Sequence, residues 1–380
     1  KVAITGCMVR KSSSRYSTTR DRLFFRSQEI DIALRTEELP RLASLLREID
    51  PDSKIKSIKE EGLEDYFQIK PSYASSAQAF VAVSTGCDKF CTYCVVPFSR
   101  GREKSRTLTD ILNECTSLVE SGCKEITLIG QTVNSYGLSV HDRMEKKFAN
   151  LPKGKEPFVY LLEQLDKLHP KGLERVRFTS PHPKDMSDTL IDAMATLKTQ
   201  MPYLHLPVQS GDNKVLKRMN RTYTIEKYHA LVKKIRARIP DISISTDIIV
   251  GFCGETEKEF KNTYEFFKET NFEHAYLSQY SERRGTYAAK NIKDDISAEI
   301  KNKRWHRLNN LLKKLSSKSL SRFVGKTVPV LVEHQDGAHC LGRSPHFKRV
   351  FFNSKKNLLG KIVPVRLTKS LQWDLEGKPV

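Results

Sequence analysis

Three cysteines stand within eight positions of one another: Cys87, Cys91 and Cys94, in the stretch STGCDKFCTYCVVPFSRGREKSR. A structural zinc site normally takes four ligands in paired units, so a zinc ion here would have to borrow a distant Cys or His. Three thiolates can instead hold three irons of a 4Fe-4S cluster and leave the fourth iron open to a substrate ligand. The C-x3-C-x2-C spacing therefore favours a cluster at which chemistry takes place, with the borrowed-ligand zinc site as the alternative.

A run of basic residues follows the cysteines directly: Arg100, Arg102, Lys104 and Arg106. A charge run of this kind is often an ordinary solvated face. Next to a metal site it can also guide an RNA backbone, because phosphates position an RNA while its splayed bases are read in pockets. We favour the second interpretation, so these four residues are candidates for RNA contact.

The composition of the whole chain agrees with a polyanionic partner. Sixty-five Lys and Arg against 45 Asp and Glu give a formal charge of +20, which favours nucleic acid through counterion release and long-range steering. Eight cysteines in 380 residues are too sparse for a disulfide scaffold and indicate metal binding in a reducing compartment, for which we expect the cytoplasm. The longest apolar runs are too short and too interrupted to span a bilayer, so no membrane partner is expected.

Alternating strand-like and helix-like runs must position these side chains. A short α/β layer opens the chain, with strands at 2–5 and 29–36, a helix at 37–49 and a charged connection at 50–66. Six further strands separated by helices predict parallel βαβ units, hence an open or partial barrel whose chemistry lies in the loops after the strands. These strands are expected at 78–84, 124–130, 174–180, 203–208, 242–250 and 273–280, and the helices at 107–121, 157–168, 187–198, 224–239 and 256–270.

The chain changes character after a long basic helix at about 297–320. The last 60 residues contain only strand-like runs separated by Gly, Asp and Asn turns, which predicts a small β-barrel with an excess of Lys and Arg. The domains predicted from these changes are 1–66, 67–320 and 321–380, and the strands of the last domain are expected at 327–334, 339–344, 348–353 and 360–370.

These features together resemble a known family. The three cysteines are spaced C-x3-C-x-aromatic-C, with Tyr93 as the aromatic residue, and they follow directly after the first strand of a predicted six-stranded barrel. This arrangement is typical of radical S-adenosylmethionine (SAM) enzymes. The chain is also similar along essentially its whole length to the methylthiotransferases of that group. The resemblance implies an α/β fold: a partial (β/α)6 radical SAM barrel, preceded by a truncated α/β methylthiotransferase domain and followed by a TRAM domain, a small RNA-binding β-barrel. The similar blocks are GCDKFCTYCVVPFSRGREKSR, LIGQTVNSYG, RFTSPHP, LHLPVQSGDNKVLKRMNRTYT and STDIIVGFCGET.

The resemblance implies two kinds of cofactor, a 4Fe-4S cluster and SAM. Cys87, Cys91 and Cys94 would hold the cluster whose open iron binds SAM, and the radical that forms from SAM takes a hydrogen atom from the substrate. The family carries a second 4Fe-4S cluster, of which Cys7 matches the last ligand. The other two ligands would lie upstream of Lys1, so we expect this chain to lack its true N-terminus and to ligate only one of two clusters fully.

The ends of the predicted strands supply candidates for SAM contact. Gly130 would let the backbone approach a ligand, and the neighbouring Gln131 would hold the amino group of SAM, unless the pair is a simple strand-to-loop turn. The resemblance assigns similar roles to further residues at strand ends and in the cysteine motif. The full set of candidate SAM-binding residues is Tyr93, Gly130, Gln131, Thr179, Ser180, Gln209 and Asp247, with Ser210 beside them.

The blocks YCVVPFSRG and GQTVNSYG are most similar to enzymes that add a methylthio group to carbon 2 of N(6)-isopentenyladenosine at position 37 of tRNA, next to the anticodon. Such an enzyme would need tRNA, a sulfur donor and an electron donor such as flavodoxin or ferredoxin, and we expect a monomer. Sister enzymes modify threonylcarbamoyl-adenosine in tRNA or an aspartate of a ribosomal protein; Asn134 argues against both. A non-catalytic RNA-binding remnant is the other alternative, against which the intact three-cysteine motif speaks.

Overall fold

A computed structural model of the chain describes residues 1–6, 8–9, 11–52, 67 and 71–380. Cys7, the predicted ligand of the second cluster, lies outside the described residues, as does most of the predicted connection at 50–66.

The first part of the chain forms a small three-stranded sheet covered by one helix. The first and third strands pair in parallel, and the second strand pairs with the third in the antiparallel sense. The predicted helix at 37–49 begins instead with a 3-10 turn at Thr36–Arg41, because Pro40 disfavours the α conformation of the residue before it. The elements are β1 (Ala3–Thr5), β2 (Ser13–Ser14), β3 (Ile32–Leu34) and α1 (Leu42–Ile49).

Six parallel strands form the central domain, as predicted. They make two three-stranded sheets, β4-β7-β8 and β9-β10-β11, which a single bridge between Val176 and Gln200 connects. The strands follow one another in space in chain order, which confirms the partial barrel. The strands are β4 (Gln78–Ala82), β7 (Glu125–Ile129), β8 (Arg175–Phe178), β9 (Tyr203–His205), β10 (Ser243–Val250) and β11 (His274–Gln279), with β5 (Ser84–Thr85) and β6 (Lys104–Ser105) in a short hairpin after β4.

Amphipathic helices cover the barrel from outside and share one apolar core with it. Cys115 and Cys123 are buried in this core and pack there as small apolar side chains. Thr107 and Thr256 cap the helices that follow them, because each side chain accepts a backbone N–H of the first turn. The helices are α2 (Val96–Ser99), α3 (Leu108–Glu120), α4 (Val140–Met144), α5 (Pro157–Asp166), α6 (Asp188–Thr196), α7 (Asn213–Arg218), α8 (Ile225–Arg238), α9 (Glu257–Thr270), α10 (Tyr287–Asn291) and α11 (Ala298–Ser321).

Helix α11 connects the barrel to the last domain and is anchored by a buried ion pair. Arg304 donates to the carbonyl of Glu255 at 2.8 Å and to its carboxylate at 3.0 Å, in the loop after β10. In the described ranges, every helix is too short or too polar to cross a membrane.

The last domain is a closed five-stranded barrel with strand order β12-β13-β14-β16-β15. Four of its strands were predicted from the sequence. The fifth was not, because Gly377 and Pro379 interrupt any strand pattern, yet it closes the barrel by pairing with β14 and β15. The strands are β12 (Thr327–Asp336), β13 (His339–Arg343), β14 (Arg349–Asn353), β15 (Ile362–Ser370) and β16 (Leu375–Pro379).

Candidate active site

The three cysteines lie in one loop between β5 and α2, at the carboxyl end of the first barrel strand. Cys87 is buried, while Cys91 and Cys94 are half-buried. Burial raises the pKa of the Cys87 thiol to about 12. A metal that binds this sulfur displaces the thiol proton and stabilises the thiolate. This loop offers three sulfur ligands at an end of the barrel where ligands are expected to bind.

Each of the three cysteine sulfurs accepts one N–H hydrogen bond. Hydrogen bonds to the sulfurs are among the protein features that tune a thiolate-bound iron cluster. Within the described part of the chain, no three His, Cys, Asp or Glu side chains lie close enough together to hold a single metal ion. Three thiols from one loop suit a cluster, in which each thiolate binds a different iron. The donors are the N–H of Lys89 to Cys87 (3.5 Å), the guanidinium of Arg221 to Cys91 (3.4 Å) and the N–H of Val96 to Cys94 (3.5 Å).

A neighbouring segment, residues 218–221, holds the cysteine loop in place. Thr92 donates its backbone N–H to the carbonyl of Met219 at 3.1 Å and its hydroxyl to the carbonyl of Arg218 at 2.8 Å. The Asn220 amide donates to the carbonyl of Phe90 at 2.9 Å. The residues around Cys91 are thus fixed from outside the motif, through contacts that its spacing does not reveal.

The hairpin of β5 and β6 places the basic run beside the cysteines, as the sequence suggested. Gly86 has a φ of +75°, and a side chain there would clash with the backbone of Arg102. The segments around residues 86 and 102 can therefore lie this close together only because residue 86 is glycine. The N–H of Cys87 donates to the carbonyl of Gly101 at 3.2 Å. Lys104 is exposed on β6. The basic segment is therefore an immediate neighbour of the candidate metal site.

The four basic side chains have different environments. Arg102 is 59% exposed, pairs with Asp88 at 2.7 Å and lies over the ring of Phe90, whereas Arg100 is half-buried. The side chain of Arg106 is only 10% exposed, because its guanidinium turns inward to the carbonyl of Ala82 (2.9 Å) and the carboxylate of Glu114 (2.6 Å). These contacts tie Arg106 to the barrel, and its role in RNA contact stays a prediction.

The candidates after β7 and β8 stand at adjacent strand ends. A Cβ on Gly130 would lie 2.6 Å from the Ser84 hydroxyl, so glycine is needed for this approach. Gln131 follows it and is half-buried. The N–H of Thr179 donates to the carbonyl of Leu128 in the next strand at 3.1 Å. Ser180 has a left-handed φ of +57°, an unfavourable conformation that is often found at binding sites.

Asn134, the residue taken as evidence about substrate choice, is buried and bound to the backbone of His182. Its amide donates to the His182 carbonyl at 3.0 Å and its oxygen accepts the His182 N–H at 2.7 Å. These bonds join the loops after β7 and β8, so Asn134 fixes the position of one loop against the other.

The candidates from β9 and β10 also lie together. Gln209 has a left-handed φ of +71° and donates its N–H to the carbonyl of Asp247 at 2.8 Å. The Asp247 carboxylate lies 3.3 Å from Nε2 of His205, whose Nδ1 is 2.9 Å from the Ser245 hydroxyl. Asp247 lies within β10 rather than at its end, and sequence reasoning missed His205, although it belongs to the LHLPVQSG block. Tyr93 packs edge-to-face on Phe252, with 6.3 Å between ring centroids.

Glu103 is a second residue that the sequence did not single out, although it stands within the basic run. Its side chain is buried and accepts the hydroxyl of Thr132 at 2.9 Å. Burial raises the pKa of this carboxyl to about 7. Glu103 thus joins the basic segment to the loop after β7, next to Gly130 and Gln131.

The last domain closes the other end of the barrel through two buried arginines of β8. Arg175 donates to the carbonyls of Arg343 (2.9 Å) and Pro329 (2.7 Å), and Arg177 donates to two carbonyls of the loop that follows β13. The carboxylate of Glu125 lies 3.0 Å from Arg177 and 3.5 Å from Arg175, so it balances their charge. The two domains are therefore joined by charged groups that are removed from water.

Phe347, in the loop after β13, packs at the centre of this interface. Its ring stacks on Tyr203 with 4.7 Å between centroids, between the guanidinium groups of Arg177 (5.0 Å) and Arg343 (4.5 Å). A cavity of about 770 Å³ remains between the two domains. Its lining includes Phe80, Tyr203, Tyr276, Phe347, His205 and Thr179. Such a set of aromatic and polar groups suits a planar base with polar edges.

Comparison with known proteins agrees with this geometry. Residues 81–267 match the Radical SAM superfamily, and residues 321–380 match the TRAM domain. A cysteine loop suited to an iron–sulfur cluster, a partial barrel and a closed terminal barrel thus define a radical SAM protein with a TRAM domain.

Curated relatives extend the similarity over nearly the whole chain. The tRNA-2-methylthio-N(6)-dimethylallyladenosine synthase of Oceanobacillus iheyensis is 39% identical over 99% of this chain and 69% of the relative. That of Clostridium botulinum (strain Okra) is 38% identical over 100% of this chain and 81% of the relative. The chain belongs to the family of these synthases.

The solved structures that match part of the chain include the radical SAM methyltransferase TsrM from Kitasatospora setae, with cobalamin and a 4Fe-4S cluster bound. It is 18% identical, with a TM-score of 0.42, over 53% of this chain and 36% of TsrM. Methylornithine synthase (PylB) is 15% identical, with a TM-score of 0.41, over 62% of this chain and 63% of PylB.

Proposed function

We propose that the protein adds a methylthio group to carbon 2 of N(6)-isopentenyladenosine at position 37 of tRNA. The observation that carries this proposal is the cysteine loop, in which Cys87, Cys91 and Cys94 each accept an N–H hydrogen bond at the carboxyl end of a partial barrel. The relatives that match nearly the whole chain carry the name of this activity. No specific contact favours the sister substrates or a non-catalytic remnant.

The cofactors are a 4Fe-4S cluster and SAM, which members of the radical SAM superfamily use. Bound together, they supply the radical that takes a hydrogen atom from an unreactive carbon. In this chain Cys87, Cys91 and Cys94 would hold the cluster. Cys87 is buried and would hold its iron away from water, while Cys91 and Cys94 are half-buried.

The strand ends next to the cysteine loop would hold SAM: Gly130, Gln131, Thr179, Ser180 and Gln209. The left-handed backbone of two of these residues supports the proposal, because each costs about 1–3 kcal/mol and such strain persists mainly where it shapes a site. The close approach at Gly130 would expose its backbone to a ligand.

Tyr93 and Asp247 would complete the SAM pocket. Tyr93 packs on Phe252 and would support the loop that carries two of the cysteines. Asp247 is half-buried and its carboxylate is held by His205 at 3.3 Å, so it can accept a hydrogen bond from a ligand in the barrel.

The tRNA would bind across the basic hairpin and the terminal barrel. Arg102 and Lys104 are exposed beside the cysteine loop, and Arg100 is half-buried next to them. Phosphates would bind these cations, while the target base would leave its stack and reach the end of the barrel where the cysteine loop lies. Eight exposed cations of the terminal barrel support this path: Lys326, Arg349, Lys355, Lys356, Lys361, Arg366, Lys369 and Lys378.

The remaining assignments are also proposals. A sulfur donor and an electron donor such as flavodoxin or ferredoxin would serve the reaction, with Cys7 contributing to a second cluster. The domains would be 1–66, 67–320 and 321–380, and the match of the TRAM domain to 321–380 supports the last of them. We expect a monomer that works in the cytoplasm, where its tRNA substrate lies.

Nucleoside analysis of tRNA from cells that lack the gene tests the function. We expect the 2-methylthio group to disappear while isopentenyladenosine remains, and the wild-type gene, but not a Cys91→Ser variant, to restore it. An Arg238→Gln variant, altered on the outer face of α8, serves as a matched control that should restore it fully. An unchanged nucleoside profile in the deletion strain would refute the assignment.

A further inference from the structure

The guanidinium of Arg221 is fixed against the sulfur of Cys91. Its Nη1 donates to that sulfur at 3.4 Å, its Nε donates to the hydroxyl of Tyr223 at 2.9 Å, and its Nη2 donates to the carbonyl of Pro207 at 3.2 Å. The group also lies 5.1 Å from the centroid of the Tyr223 ring. All three nitrogens are thus engaged, and the side chain cannot swing away from the sulfur without breaking several contacts.

The backbone fixes the same arrangement independently. The residues immediately before Arg221 bind the cysteine loop through Thr92 and Asn220, at 2.8 Å to 3.1 Å. The separation of the guanidinium from the cysteine loop is therefore set by a rigid segment, which makes Arg221 a preorganised cation.

Among the hydrogen bonds given above for the cysteine sulfurs, that of Arg221 comes from a charged donor. Cys87 and Cys94 accept neutral backbone N–H groups, whereas Cys91 accepts from a full positive charge. Reduction of an iron–sulfur cluster adds one electron, so a fixed cation and its hydrogen bond favour the reduced state. Arg221 and Cys91 are both half-buried, so solvent ions screen their interaction less than they would screen an exposed pair.

We propose that Arg221 is a positioning residue that sets the reduction potential of the cluster held by Cys87, Cys91 and Cys94, through its charged hydrogen bond to Cys91. The inference rests on the cluster site of the proposed function. Arg221 makes the cluster easier to reduce, so that a cytoplasmic electron donor of low potential can supply the electron.

The test is a redox titration of the reconstituted protein without SAM or RNA. Electron paramagnetic resonance measures the fraction of reduced cluster at each potential. Arg221→Gln removes the charge and should weaken the preference for the reduced state about tenfold, which moves the midpoint potential about 59 mV lower for one electron. Arg221→Lys keeps a charge but loses the planar set of donors, so its potential should fall by less. Arg218→Gln is the matched control, since Arg218 lies in the same segment but pairs with Glu259 at 2.9 Å.

Iron and sulfide contents are measured for every variant before its potential is compared. A loaded Arg221→Gln protein with the potential of the Arg218→Gln control would overturn the inference. If Arg221→Gln binds no cluster, the Arg221→Lys protein decides: a lower potential than the control supports the inference and an equal one overturns it. Loss of the cluster from both variants would overturn it too, since Arg221 would then be needed for assembly. A wild-type protein without a cluster would instead refute the site itself.

Discussion

Replacing Phe347 by Ala should weaken the attachment of the terminal barrel to the radical SAM domain. The ring stacks on Tyr203 at 4.7 Å and lies within 5.0 Å of the guanidinium groups of Arg177 and Arg343. An aromatic pair contributes roughly 0.5–1.5 kcal/mol and each cation–π contact about 0.5–1 kcal/mol. We therefore expect the free energy of unfolding to fall by about 1.5–3.5 kcal/mol.

The backbone of Phe347 allows a sharper comparison. Its φ of +61° is left-handed, a conformation that costs a residue with a Cβ about 1–2 kcal/mol and costs glycine nothing. Glycine loses about 0.5–1 kcal/mol more than alanine in conformational freedom on folding. Phe347→Gly should thus be more stable than Phe347→Ala by up to about 1.5 kcal/mol, although glycine is the smaller residue.

Urea unfolding followed by tryptophan fluorescence measures both differences, because Trp305 lies in α11 and Trp373 lies in the terminal barrel. A double-mutant cycle with Tyr203→Leu should give a coupling of about 1 kcal/mol with Phe347→Ala. The reasoning would be refuted if Phe347→Ala unfolded with the wild-type free energy, or if Phe347→Gly were less stable than Phe347→Ala.

Three further predictions follow from the site and its supports. Burial raises the pKa of Glu255 from 4.5 to about 7. Between these two pH values Glu255 loses its proton in the unfolded chain but keeps it in the folded chain. Stability should therefore fall as pH rises through this window, and urea titrations of Glu255→Gln should show a shallower fall. Gly211→Ala places a Cβ 2.6 Å from Cα of Thr263 in α9. The free energy of unfolding should fall by about 1–3 kcal/mol in the same assay, and an unchanged value would show that α9 moves aside instead. Arg102→Gln combined with Lys104→Gln should weaken tRNA binding and lower its salt slope by about 1.5, whereas an unchanged slope would place the RNA elsewhere.

The sequence predicted the parts of the fold that local patterns encode. Apolar runs with strand character gave all six barrel strands, and the helices predicted at 107–121 and 256–270 do begin next to Thr107 and Thr256. The cysteine spacing gave the candidate metal site, because its three ligands lie close together in the chain. The order of the domains followed from the change of pattern after α11.

Contacts between distant segments could not be predicted in the same way. Arg221 meets Cys91 across 130 positions of the chain, and only the folded loop after α7 brings them together. Arg106 looked like its neighbours in the basic run, but the chain leaves β6 at Ser105 and turns the guanidinium under Ala82. The strand β16 has no pattern of its own and forms because its neighbours offer it two edges.

The central claim is that the cluster loop serves hydrogen removal from carbon 2 of the tRNA base. The most direct measurement uses tRNA that carries deuterium at carbon 2 of isopentenyladenosine, with the reconstituted full-length protein, SAM, sulfide and a reductant. We expect one deuterium to leave the base for each methylthio group gained, and mass spectrometry to find it in the 5'-deoxyadenosine that SAM releases. A base that keeps its deuterium, or 5'-deoxyadenosine that forms without it while the methylthio group is gained, would contradict the account.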